Sequence, residues 1–196
     1  FLLAEQVREI MAQLGFRKIE EMVGRSDVLE MNKAIQHRKT DGIDLSAILT
    51  PAQKPHPDVI THQVIEQDHL LHLALDNEII KQAKPALEKG EKVSIELPII
   101  NINRVVGTML SHEVTQKYGV NGLPEDTIHV KLNGSAGQSM GAFMTSGITL
   151  EVEGDANDFI AKGLSGGKVI VYPPKVSSFK AEENIIVGNV VLYGEI

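Results

Sequence analysis

The pentapeptide GQSMG, residues 137–141, has the G-x-S-x-G spacing of a nucleophile elbow, in which a strand-to-helix turn exposes a serine for acyl transfer. The segment after Gly141 alternates between apolar and polar residues and predicts no helix, and all seven histidines precede Ser139. His112 and His129 are open to use only in a triad of another chain order. The sequence therefore favours a serine at a structural corner, and a hydrolase that uses Ser139 is a minor hypothesis.

Two other runs have part of the spacing of a binding site. A Walker loop over GLSGGK (163–168) requires glycine and Ser or Thr at positions that hold Lys162 and Val169, which excludes it. A nest of backbone amides for a small anion stays open there. Asp155 and Asp158 match neither an EF-hand loop nor a calcium-binding repeat, and the pattern favours Asx-turns.

A third candidate is the pair Glu66 and His69, with His72 three residues farther on. Glu-x-x-His on a helix is half of a di-iron site, but the second pair is missing. A solvated or capping role is favoured, and the sequence predicts no metal site.

Composition excludes several classes of function. The formal net charge is −7, aromatic residues make up 4% and Trp is absent, so we expect no nucleic-acid partner. No stretch reaches the roughly 18 apolar residues that span a bilayer, so we expect no membrane association. With no cysteine, disulfides, thiolate metal sites and a cysteine nucleophile are excluded.

The first half of the sequence predicts helices and a connector. Apolar residues at helical spacing predict an amphipathic helix over 2–14, ended by Gly15. Prolines mark an exposed connector from Thr50 to Asp58, and Gly90 closes a second helical region. Alternation at 93–97 predicts a strand or hairpin.

The second half predicts strands at a regular interval. Alternating apolar runs occupy 128–132, 148–154, 168–173 and 189–194. Intervals near 21 residues with small residues between them are typical of a solenoid. We therefore predict a right-handed parallel β-helix of about four rungs, a single-stranded solenoid, preceded by an α-helical and irregular N-terminal segment. The predicted division is a helical segment at 1–49, a linker with helices and a short strand pair at 50–126, and a truncated β-helix domain at 127–196.

Glycines are expected at the corners of this solenoid, where the backbone needs a positive φ or close approach. The predicted structural residues are Gly134, Gly137, Gly141, Gly147, Gly154, Gly163, Gly166, Gly167 and Gly188. Between them, inward residues such as Ile148, Leu150 and Val152 are expected to stack on the next strand.

Three stretches of the sequence carry a family resemblance. GSAGQSMGAFMTSGITLEVEGDANDFIAKGLSGGKVIVYPP closely resembles the C-terminal, GXGXG-type β-helix domain of the glutamate synthase large (alpha) subunit, which a formylmethanofuran dehydrogenase subunit shares in outline. INRVVGTMLSHEVTQKYGVNGLPEDTI resembles the segment that leads into that domain. VREIMAQLGFRKIEEMVGRSDVLE is similar to the last helices of the flavin-binding synthase domain. The resemblance covers essentially the whole chain.

The resemblance implies a non-catalytic scaffold within an oxidoreductase. In that family an amidotransferase domain hydrolyses glutamine, and ammonia passes through a tunnel to a synthase domain, where FMN and an iron–sulfur cluster support reductive amination of 2-oxoglutarate. The β-helix packs between these domains and carries no catalytic residue. We accordingly expect no catalytic, cofactor-binding or metal residue in this chain, whose lack of cysteine also excludes the family's cysteine nucleophile and cluster ligands.

The same resemblance implies the partners and the compartment. Other domains or chains of glutamate synthase are the expected partners, in the cytoplasm or in a plastid stroma. The family's β-helix continues beyond a sequence such as NVVLYG, so we expect an exposed last rung at Glu195 and Ile196 and possible self-association. The alternative function is a free-standing β-helix module that binds a protein partner or a small anion.

Overall fold

The structure, a computed structural model, describes residues 1–30 and 37–194. The chain divides into two compact units, Phe1–Asp68 and His69–Ile196. The predicted three-part division, with boundaries after residues 49 and 126, stays a prediction. Glu195 and Ile196, where the sequence predicts an exposed rung, lie outside the described residues.

The first unit consists of short helices. Its elements are α1 (Leu2–Leu14), 3₁₀ turns at Ile19–Glu21 and Ser26–Val28, and α2 (Ser46–Leu49). Gly15 ends α1 at φ 81°, and its N–H donates to Ala12 O. The predicted helix and its glycine cap are therefore confirmed, although Met11 is the one residue of α1 that is buried.

The second unit contains a parallel sheet and three helices. Its helices are α3 (Asp76–Gln82), α4 (Lys84–Lys89) and α5 (Thr108–Tyr118), with 3₁₀ turns at Leu71–Leu73, Gly119–Asn121 and Ala181–Glu183. Its strands are β1 (Val93–Ile99), β2 (Ile128–Ala136), β3 (Ile148–Ala156) and β4 (Lys168–Tyr172). The strand order is β1-β2-β3-β4, and every neighbouring pair is parallel.

Alternation along the strands places aliphatic side chains on the inner face of the sheet. One row pairs Ile95 with Val130, Val130 with Leu150, and Leu150 with Val169. Val130 and Leu150 are fully buried. Each buried aliphatic side chain of this kind contributes about 1.5–3 kcal/mol relative to an exposed one. The predicted stacking of Ile148, Leu150 and Val152 on neighbouring strands is confirmed.

Helix α5 closes the inner face of the sheet. Leu110 and Val114 are fully buried in the same hydrophobic cluster as the strands. The Tyr118 hydroxyl donates to the carbonyl oxygens of Ala86 and Leu87, which ties α5 to α4. α5 therefore joins the sheet and the helices in one core.

The predicted fold class, a right-handed parallel β-helix of about four rungs, is wrong. The four strands form one open sheet packed with helices. Along the chain, α5 follows β1 and precedes β2. The sheet begins at Val93, within the segment predicted to be a linker. The last predicted strand, 189–194, is absent, because Val190, Leu192 and Gly194 have positive φ values that no strand adopts.

The interval that suggested a solenoid has a simpler cause. Two connections of similar length, 137–147 and 157–167, return the chain to the start of the next parallel strand. A connection of about a dozen residues is what any parallel pair needs. A repeat of one strand per 20 residues therefore fits an open parallel sheet as well as a β-helix, which requires further strands in each turn.

Within the described ranges, no helix has the length and apolar character needed to cross a bilayer.

Candidate functional site

A set of left-handed turns lies beyond the carboxyl ends of the strands. Alternate residues have positive φ in three turns: Ser139, Gly141 and Phe143; Phe159, Ala161 and Gly163; Val190, Leu192 and Gly194. Val105 and Gly107 repeat the beginning of the same pattern. We call these four turns, 105–107, 139–143, 159–163 and 190–194, the turn stack.

Backbone hydrogen bonds join each turn to the next. Ser139 N donates to Asp158 O at 2.9 Å, Ala161 N to Met140 O at 2.9 Å, and Phe143 N to Lys162 O at 2.8 Å. Between the left-handed positions, Val106, Met140 and Ile160 are buried. The turn stack is thus a second hydrogen-bonded ladder beside the sheet, with its own row of inward side chains.

Ser139 is a member of this ladder. It has φ 62°, it is 7% exposed, and Ala142 N donates to its carbonyl oxygen. The segment after it forms turns and leads into β3, so no helix follows the serine. His129 Nε2 lies 2.8 Å from Glu151 Oε2 and is hydrogen-bonded there. The structure therefore does not assemble the strand-serine-helix geometry of an elbow.

The nine predicted glycines fall into two geometric groups. Six have positive φ: Gly134, Gly141, Gly147, Gly154, Gly163 and Gly166. The other three, Gly137, Gly167 and Gly188, do not, but a Cβ at each would lie within 2.6 Å of a neighbouring atom. Gly134 and Gly154 lie inside β2 and β3 and pair with each other, so these two are strand positions and not corners. Their structural role in stability stays a prediction.

The GLSGGK run borders a cavity of about 440 Å³. Lys168 Nζ is 2.6 Å from Glu125 Oε1 and 3.0 Å from Asp126 Oδ2. These carboxylates, Glu125 first, raise the pKa of Lys168. The Thr149 hydroxyl and then Lys168 lower the pKa of Asp126. Two carboxylates against one ammonium make this cavity unfavourable for an anion.

The outer face of the sheet carries a ladder of paired polar side chains. Glu151 accepts from the Tyr172 hydroxyl and pairs with His129; the Tyr172 bond is the main cause that lowers the pKa of Glu151. Lys131 Nζ lies 3.3 Å from Glu153 and 3.7 Å from Glu96. These pairs connect β1 through β4 across the sheet.

Asp76 is a buried carboxylate at the start of α3. It is 2% exposed and accepts hydrogen bonds from Gly107 N at 3.0 Å and Leu110 N at 3.1 Å. These donors are the free amides at the beginning of α5, so Asp76 caps a helix from another element. Burial raises the pKa of Asp76 even though these N–H groups oppose the shift.

The other candidate residues from the sequence do not come together in a metal site. Glu66 and His69 lie outside the helices, and His72 lies in a 3₁₀ turn, so the helical face expected for a di-iron half-site does not form. Asp158 Oδ1 accepts from Asn189 N at 2.7 Å, which joins two turns of the stack. Asp155 is exposed in β3. Across the described residues, no three His, Asp or Glu side chains form a group suited to a metal ion.

A family profile described as GXGXG motif matches residues 76–196. The chain belongs to the GXGXG motif family. The matched GXGXG region starts at Asp76 and includes α3, α4, α5, the sheet and the turn stack. The family resemblance identified from the sequence is thereby confirmed.

Curated relatives of this GXGXG chain are glutamate synthases. It is 51% identical over 194 residues to glutamate synthase (NADH) of Schizosaccharomyces pombe, covering 99% of this chain and 9% of that protein. It is 43% identical to the glutamate synthase (NADPH) large chain of Bacillus subtilis, covering 98% and 12%. It is 35% identical to ferredoxin-dependent glutamate synthase 2 of Synechocystis, covering 99% and 12%. The chain therefore spans about a tenth of the length of these relatives.

Several features of the site were not predicted from the sequence. No local pattern indicates that Asp76 caps α5, because the capped amides lie 31 to 34 residues away. His129, Glu151 and Tyr172 were detectable, since they occupy outward positions at 21- and 22-residue separations. The left-handed phenylalanines of the turn stack have no sequence signal, because bulky residues rarely take positive φ.

Proposed function

We propose that the chain is a non-catalytic structural domain of a glutamate synthase large subunit. In this role it supports the amidotransferase and FMN synthase centres while glutamate forms from glutamine and 2-oxoglutarate, within ammonia assimilation. Other domains of the same enzyme are its partners, in the cytoplasm or a plastid stroma.

One observation carries this proposal. The chain aligns over 98–99% of its length with relatives whose names specify NADH, NADPH and ferredoxin. A segment common to enzymes with different electron donors serves a step that does not depend on the donor. Holding reaction centres in place is such a task, and it requires rigidity.

The arrangement of the second unit supports a rigid role. A buried aliphatic face, a ladder of paired charges on the outer face and the hydrogen-bonded turn stack each connect successive strands. Close-packed interiors of this kind transmit displacement with little deformation.

The residues of this chain do not fit the cofactors of the parent enzyme. Iron–sulfur clusters are held by cysteine thiolates, and the chain has no cysteine. Lys168, beside the glycines at 166 and 167, is already neutralised by Glu125 and Asp126, so that cavity does not suit the FMN phosphate. We assign FMN and the cluster to other parts of the enzyme.

The test uses the full natural gene product that contains this chain. Glutamate formation is measured with glutamine and, separately, with ammonia as the nitrogen source. Asp76→Asn, which weakens the attachment of α5, is expected to lower the glutamine-dependent rate more than the ammonia-dependent rate. Ser139→Ala is the matched control and is expected to leave both rates nearly intact.

Two results would overturn the proposal. One is a loss of glutamine-dependent synthesis in Ser139→Ala with folding retained, which would make Ser139 catalytic. The other is a natural product of about this chain's mass with no glutamate synthase activity, which would favour the free-standing binding module. Self-association stays a prediction that sedimentation of the chain can check.

A further inference from the structure

An apolar patch on the turn stack is exposed to solvent. Phe143 is 61% exposed and Phe159 is 38% exposed. Val190, whose turn is hydrogen-bonded to the turn of Phe159, and Val105 are also exposed in the turn stack. We call Val105, Phe143, Phe159 and Val190 the phenylalanine face. Clustered exposed apolar side chains of this size are typical of interaction surfaces.

The two phenylalanines of the phenylalanine face are connected through Lys162. Phe143 N donates to Lys162 O at 2.8 Å, and Lys162 Nζ lies 5.8 Å from the centre of the Phe159 ring. The Phe143 ring also packs on Gly163, where a Cβ would lie 2.6 Å from Phe143 Cδ1. The two rings and the lysine therefore form one continuous surface.

The backbone under these rings is strained. Phe143 has φ 55° and Phe159 has φ 61°, in the left-handed region that bulky residues avoid. The turn geometry itself does not require a ring, since Gly163 and Gly194 occupy the position of Phe143 in the next two turns. Strain retained at Phe143, where glycine fits in the equivalent turns, indicates that this exposed ring has a use.

Two cations without carboxylate partners flank the face. Among the described residues, neither Lys162 nor Arg104 forms an ion pair, although the chain carries a net charge of −7. Arg104 donates to the Gln138 side chain, next to the turn that contains Ser139. Their free positive charge complements an acidic partner.

We propose that the phenylalanine face docks a segment of the longer polypeptide in which apolar side chains are flanked by Asp or Glu. The inference rests on the proposed function, because it takes this chain to be about a tenth of that polypeptide, as it is of its relatives. The apolar centre buries the two rings, and the acidic flank pairs with Lys162 and Arg104. Docking at this face gives the scaffold a defined contact with its neighbour.

Hydroxyl-radical footprinting of the full gene product tests the docking. The oxidation rate of each phenylalanine in the native protein is divided by its rate in the urea-unfolded protein. A covered face is expected to protect Phe143 and Phe159 about tenfold, well beyond what exposed fractions of 61% and 38% allow. Rings that oxidise at the rates these fractions give would overturn the proposal.

Variants locate the contact. Lys162→Glu combined with Arg104→Glu is expected to remove the protection of both rings, whereas Lys117→Glu, an exposed lysine of α5, is the matched control and leaves it intact. Phe143→Asn keeps a residue that tolerates positive φ and is expected to raise the oxidation of Phe159. Unchanged protection in the double variant, or an equal loss in the control, would contradict the assigned face.

The footprinting readout is independent of activity. Protected rings in a product that makes no glutamate would leave the docking face standing and remove the proposed function. Exposed rings in an active glutamate synthase would remove the docking face alone.

Discussion

At Gly137 the backbone leaves no room for a side chain. A Cβ there would lie 2.6 Å from the carbonyl oxygens of both Asn101 and Asn103. Its φ is not in the left-handed region, so crowding and not conformation requires the glycine. Of the two reasons that the sequence offered for a corner glycine, a positive φ or a close approach of the backbone, the close approach applies here.

Gly137→Val is expected to destabilise the chain by about 2–3 kcal/mol or more, because two carbonyl groups must move to admit the side chain. Urea unfolding followed by circular dichroism measures the change. Gly90→Ala is the matched control, since Gly90 has φ 70° with no atom within 4 Å of a Cβ and is expected to lose only about 1–2 kcal/mol. Equal losses would refute the crowding argument.

The positive φ values in the turn stack lead to a second prediction for single residues. Ala142 and Ala161 are both buried, but only Ala161 has a positive φ, at 53°. Replacement by glycine removes a buried methyl in each case and relieves about 1–2 kcal/mol of strain at Ala161 alone. We expect Ala161→Gly to cost less than Ala142→Gly by about 1–2 kcal/mol in urea unfolding. A larger loss at Ala161 would count against the strain.

Among the elements, α5 depends on Asp76. Removing the carboxylate leaves the N–H groups of Gly107 and Leu110 buried without an acceptor, and each such group costs about 1–3 kcal/mol. We expect Asp76→Ala to destabilise the chain by about 3–4 kcal/mol and Asp76→Asn, which keeps one acceptor oxygen, by roughly half as much. Urea unfolding at neutral pH measures both variants. An Asp76→Ala variant with unchanged stability would show that water replaces the carboxylate as acceptor.

The pH dependence of this cap has a definite sign. Because burial raises the pKa of Asp76 above 3.8, the protonated carboxyl is favoured in the folded state. The contribution of this raised pKa to the free energy of unfolding is fully present below about pH 3.8. It decreases as the pH rises through the pKa of Asp76 in the folded state. The stability difference between the natural chain and Asp76→Asn should therefore shrink as the pH rises through that window. Urea unfolding of both proteins from pH 3 to 7 measures this stability difference. A difference that grows as the pH rises would contradict the raised pKa of Asp76.

The strands were predictable and their assembly was not. Alternation locates β2, β3 and β4, and their inward residues, because one face of each is buried. The run at 189–194 also alternates, yet Val190 and Leu192 are left-handed, since hydrogen bonds to Phe159 and Ile160 hold the segment in the turn stack. Alternation cannot distinguish a strand from a turn whose conformation is determined by long-range contacts. The paired outward residues follow from the same interval, whereas the role of Asp76 depends on tertiary contacts alone.

At the scale of the whole molecule, the division into two units leads to a prediction about unfolding. The hydrophobic cluster consists of residues from Ile79 to Ala161, all in the second unit. Residues 69–196 should therefore unfold cooperatively, with a urea midpoint close to that of residues 1–196. The shorter piece 127–196 lacks β1 and α5, including buried Ile95 and Leu110, and is expected not to unfold cooperatively. A cooperative 127–196 would instead support the boundary predicted from the sequence.

The turn stack also bears on how such a chain can change in length. Twenty residues separate Ser139 from Phe159, and thirty-one separate Phe159 from Val190, yet the turns meet in the same hydrogen-bonded register. The eleven additional residues belong to the segment after β4, which contains the 3₁₀ turn Ala181–Glu183. Insertions and deletions in that segment are therefore expected to leave the hydrogen bonds of the turn stack unchanged. A longer or shorter segment there is expected to leave every later position of the turn stack with the same neighbour.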